Sequence, residues 1–200
     1  MVPLIRLIVA LEILALPAWV GAACVRPPEG IRPRLARTPA MVVLAAIVLL
    51  VLAVIEGGGS VAGVLRSQAV AVGFTVFLAG LAAALQRAAG PRAAQMLTAL
   101  LGWALVGSIL LAGPVVEMIQ GPAKAMIVRL VVLADPLVAA EREVGLPWLH
   151  QSLTYRLTPL GESYNYLLED LTWWKTLVAH VFIGSGLLVF GVARRGGPKA

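Results

Sequence analysis

Five stretches of this chain are apolar for long enough to cross a bilayer, and none of them carries more than two charges. They run over about 2–25, 39–55, 64–85, 94–118 and 172–193. A helix rises 1.5 Å per residue, so about 20 residues cross a hydrocarbon layer ~30 Å thick. Lipid offers no hydrogen bonds, so a spanning segment must satisfy its own backbone, as a helix does. A barrel would need alternating apolar and polar residues, and these runs are continuous. The expected fold is all-α, a polytopic membrane protein of about five transmembrane helices forming one membrane domain over 1–200. Composition agrees: 60% of residues are hydrophobic and 13% charged, against about 45–50% and about 25% in soluble domains.

Net charge is +6. In a soluble chain that would suggest nucleic acid, but here loop position explains it. Arg26, Arg32, Arg34, Arg37, Arg87, Arg92, Arg194, Arg195 and Lys199 fall in loops or ends on one side of the expected spans. Cytoplasmic loops collect such residues. The expected topology therefore has the N-terminus outside and the C-terminus in the cytoplasm of a bacterial inner membrane. The first run has leader-like features, with Arg6 early and Gly21-Ala22-Ala23-Cys24 late. Its length and the more basic flank that follows favour a retained span. Cys24, the single cysteine, has no partner for an internal disulfide.

The one long stretch that is neither span nor short turn is 121–170. It holds four basic and six acidic residues and is expected outside. Its first part, 123–134, is too short and too charged to cross, and reads as an interfacial helix. Asp135-Pro136 breaks it and starts a second short helix to about Glu143, with Asp135 as N-cap and Pro136 in the first turn. Trp148 and Tyr155 are expected at the membrane surface. The segment as a whole is expected to be a membrane-hugging cap and a docking surface.

Charges inside spans are costly and mark candidate sites. Glu12 lies roughly 14 Å and His180 roughly 12 Å below the outer face at 1.5 Å per residue. They meet if the first and last spans are neighbours, as a proton-carrying or quinone-contacting pair or as a buried hydrogen-bonded packing pair. Arg6, Arg66 and Glu117 lie near the outer face, where Glu117 can pair with either arginine. Gly73 and Gly80 share a helical face and allow another helix close approach. Trp173 and Trp174 form an interfacial belt with Lys175. His150 and His180 would have to share a depth to hold a b-type haem, and they do not. No nucleotide loop, nucleophile elbow or Cys/His metal spacing is present.

The expectation is a non-catalytic membrane subunit that docks other integral membrane chains and lipid, and not nucleic acid. It is not expected to be an enzyme on its own or to hold a cofactor. Two alternatives stand beside it. The layout over about 93–195, an outer segment with two short helices between the last two spans, resembles the permease subunits of ABC-2-type exporters. That resemblance is architectural and implies a transport component. The other alternative is a redox subunit, with Glu12 and His180 at a quinone or haem.

Overall fold

The computed structural model describes residues 3–23, 46–52, 60–119, 121–145 and 172–192. The described residues form helices and no strand. In chain order they are α1 (Pro3–Ala23), α2 (46–52), α3 (Val61–Ala89), α4 (Pro91–Val106), α5 (Ser108–Glu117), α6 (Pro122–Ala134), α7 (Pro136–Glu143) and α8 (Trp173–Val192). Three helices are long and apolar enough to cross a membrane: Leu4–Ala23, Val61–Ala89 and Trp173–Val192. The pair α4 and α5 makes a fourth if it counts as one span, but it bends by 64°. The second expected span is described only at 46–52, so the described residues carry three to four candidate spans, and not five.

The bend in the fourth stretch departs from the straight helix expected over 94–118. It falls at Gly107, which leaves helical geometry (φ −95°, ψ 12°) between α4 and α5. Gly102, Gly107, Gly113 and Pro114 weaken this helix along its length, since glycine has low helix propensity and proline removes a donor.

Helix α3 is the centre of the assembly. It packs against α1, α4, α7 and α8. Ser60 caps its start by accepting from the Gly63 amide at 3.1 Å. Its end turns at Gly90, whose φ of 82° suits only glycine, and Pro91 opens α4. Helices α3 and α8 run parallel along a seam of small residues. A methyl added at Gly80 would fall on the Gly184 carbonyl, and one at Gly73 would lie 2.7 Å from Leu177 Cδ1. Gly191 meets Ala83 in the same way. Lipid tails are as apolar as leucine, so close van der Waals contact of this kind holds spans together.

Helix α1 buries Ile5, Val9, Ile13, Leu16 and Val20 and exposes Leu4, Leu7, Leu11 and Leu14. Both faces are equally apolar, so packing alone distinguishes them. Pro17 lies inside α1 and cannot donate to the preceding turn. The Trp103 indole donates to the nearby Leu14 carbonyl at 2.9 Å. Helix α4 runs antiparallel to α1: Gly21 approaches Gln95 and Ala99, and Pro17 approaches Gly102. The starts of α1, α3 and α8 thus share one end of the bundle.

At that end sit α5, α6 and α7. Helices α5 and α6 form a hairpin around Ile109, Val116, Val128 and Val132. Asp135 ends α6 and caps α7 as its position before proline implies, accepting from the Leu137 and Val138 amides at 2.9 and 3.3 Å. Helix α7 lays Leu137 and Ala140 into the main core with α1 and α3. The described part of the cap, 121–145, is therefore packed on the span ends.

Candidate functional site

Two buried polar groupings stand out, and neither is the expected pair. Glu12 and His180 do not meet. Helix α3 lies between their helices, packing on both, and each residue bonds elsewhere. Gln68 Nε2 of α3 donates to Glu12 Oε2 at 2.7 Å. The other oxygens of this pair, Glu12 Oε1 and Gln68 Oε1, are buried without a partner. Gln68 follows Arg66 and Ser67 near the start of α3, and ranking ionisable groups by depth passed over an uncharged amide. His180 is 3% exposed. Its Nδ1 lies 2.9 Å from the Thr176 carbonyl, and its ring stands edge-on to Phe74 and Phe77 at 5.5 and 5.4 Å.

The second grouping lies beneath the cap. Arg6 of α1 or Arg66 of α3 was a partner open to Glu117, whose side chain is not described. Among the described residues both arginines bond to the cap. Arg6 Nη2 donates to the Gly145 carbonyl at 2.8 Å, and Arg66 Nη1 lies 3.3 Å from Glu143 Oε2. A methyl on Gly63 would fall on the Glu143 carbonyl, so α7 rests directly on α3. The Glu117 side chain lies outside the described residues, as do Trp148, His150 and Tyr155.

Between these contacts two carboxyl groups are buried. Asp135 is 1% and Glu141 0% exposed. Asp135 has its two amide donors, with the Ser108 hydroxyl of α5 at 3.5 Å. Glu141 has no hydrogen-bond partner on either oxygen, and Arg6 Nε is buried without one as well. Burial pushes the Asp135 carboxyl up to about 8 against its amide and hydroxyl donors. Burial also pushes Glu141 up to about 8, with the charge of Asp135 adding to the rise and Arg6 opposing it.

Glu141 was missed because it sits in an ordinary short amphipathic helix. The signal was its register. Leu137, Ala140, Glu141 and Val144 follow the i, i+3, i+4, i+7 pattern of a buried stripe, and Glu141 occupies one of its four positions. Trp173 packs on the core while Trp174 is half exposed with Lys175 Nζ 5.9 Å from its ring.

The described residues hold no cluster of three or more His, Cys, Asp or Glu able to bind a metal. The arrangement fixes the cap to the spans and keeps two titratable groups out of water. No family model, curated protein or solved structure matches the chain.

Proposed function

We propose that the chain is a non-catalytic integral membrane subunit of a larger complex, presenting its cap and its spans to other membrane chains. One observation carries this reading. The polar side chains brought together among the described residues tie elements to each other: Arg6 and Arg66 hold α7, and Gln68 holds Glu12. They brace a platform and do not converge on a path across the bilayer. In this reading the protein lies in a bacterial inner membrane with five spans, N-terminus outside and C-terminus cytoplasmic. The shared end of α1, α3 and α8 supports an odd number of crossings between one and the next.

Gentle solubilisation and affinity purification test the proposal. Stable recovery with several other membrane chains is the expected result. A stable, monodisperse monomer that carries activity by itself would overturn it.

One feature favours a second reading as a permease-like component of an ABC-2-type exporter. The two short helices α6 and α7, which follow α5 and precede α8, are in keeping with the outer segment on which that resemblance rests. Recovery with a nucleotide-binding subunit would favour it. The redox reading has lost its expected pair, since Glu12 and His180 bond to different partners; a Soret band in the purified protein would restore it.

A further inference from the structure

The seat of the cap holds more negative charge than it can pair. Two carboxyl groups, Asp135 and Glu141, are buried there. One guanidinium, Arg6, acts on Glu141, and its Nη2 donates to the Gly145 carbonyl. Neither oxygen of Glu141 accepts a hydrogen bond. An ionised carboxylate with no donor, sealed from water beside a second carboxylate, is among the least favourable arrangements a protein can hold. A buried carboxyl in this setting avoids the charge by holding its proton.

We propose that Glu141 and Asp135, with Arg6, form a proton-binding site in which both carboxyls hold protons while α7 is seated on α1 and α3 and release them to water when α7 lifts. The proton is the ligand because it needs neither a cavity nor further ligands. A metal ion would need more oxygen or nitrogen donors, and no cluster of three such residues lies among the described residues.

The other charged groups on elements packed against α7 leave this balance in place. Arg66 of α3 is half exposed and engages Glu143. Helix α1 also carries Glu12, which is engaged by Gln68; α6 carries Lys124 and Arg129, and α8 carries Lys175 and His180. Glu143 and Arg142 lie on α7 itself. Of all these, Asp135 and Arg6 are the groups whose charge reaches Glu141. The carboxyl pKa of about 8 at both positions agrees with the geometry.

The sign follows from linkage. Seated, the carboxyls keep protons up to about pH 8; lifted, they ionise at the ordinary value near 4. The seat is therefore firmest below about pH 4. It weakens steadily as pH rises and stops weakening above about pH 8. Each proton released changes the opening equilibrium about tenfold per pH unit in that window.

Thiol labelling of the full-length protein in lipid reads this directly. In a Cys24→Ser background, Ala140→Cys places a thiol at a position that is 0% exposed when α7 is seated. Met118→Cys, at a position 86% exposed, serves as the reference and cancels the pH dependence of the thiol itself. With both carboxyls ionising on opening, the ratio of the two rates is expected to rise by up to about a hundredfold per pH unit between about pH 5 and 8, then level off. Glu141→Gln keeps size and shape but cannot release the proton, and is expected to lower that slope by about tenfold per unit. A ratio independent of pH, or a Glu141→Gln variant with the original slope, would overturn the proposal.

Should the thiol variants fail to fold, infrared absorption of the native-sequence protein at neutral pH gives a second reading. A protonated-carboxyl band that weakens in Glu141→Gln or in Asp135→Asn supports the site. Asparagine keeps the α7 cap in the second variant. Identical bands in all three proteins would sink it. The test needs no partner chain, so it stands apart from the fate of the proposed complex.

Discussion

Gly90 sits in a backbone region that only glycine visits without strain, with φ 82° and ψ 170°. A methyl there meets nothing within 4 Å. Gly90→Ala thus isolates the backbone term, and it is expected to cost about 1–3 kcal/mol in thermal unfolding in detergent. Arg66 makes the opposite case. Its bond to Glu143 is half exposed, so Arg66→Ala is expected to change stability by less than about 1 kcal/mol. His180 is buried and Glu12 half-buried, and they do not reach each other. Replacing either with alanine is expected to lower the yield of assembled complex more than the activity of each complex formed. Measuring both quantities separately decides this; normal yield with lost activity would count against a packing role. Their positions along α1 and α8 were legible from the sequence, because rise per residue sets them. Their partners were not, because the direction each side chain faces depends on which helix packs alongside. Helix α3 takes the place between α1 and α8, and so Gln68 takes the place expected of His180.

The seam between α3 and α8 shows the same division at the level of elements. Gly73 and Gly80 were visible as one small-residue face, since seven residues make nearly two turns. The partner that fills it, with Gly184 and Gly191 on α8, became known only from the packing. Gly184→Leu forces a side chain onto the backbone of Phe77, whose Cα lies 2.6 Å from an added methyl. The expected loss is about 1–3 kcal/mol or more. Gly186→Leu is the matched control, because nothing lies within 4 Å of a methyl there, and it is expected to be near neutral. Equal losses from the two variants would show that the seam does not hold α8. The start of α7 was legible because the Asp-Pro signal is local. The bend at Gly107 was not, because glycines and Pro114 make a bend cheap without deciding whether packing uses it.

For the whole molecule, the basic loops predict an orientation that can be checked directly. A cysteine placed in 26–38 is expected to be shielded from an impermeant reagent applied from outside, while one at Met118, beside the cap, is expected to react. The reverse pattern would invert the molecule. That the chain is helical, with helices long and apolar enough to cross a membrane, followed from the sequence alone, because lipid leaves an apolar run of this length one way to satisfy its backbone. The local start of α7 followed too, because proline and an N-cap act within a single turn. Which faces of equally apolar helices meet, where α4 breaks from α5, and that Glu141 is sealed with Asp135 beneath the cap were decided by tertiary packing. The physical reason is that hydropathy separates buried from exposed faces only where the surroundings are water. In lipid both faces are apolar, and close fit between small residues and a few buried polar groups makes the choice.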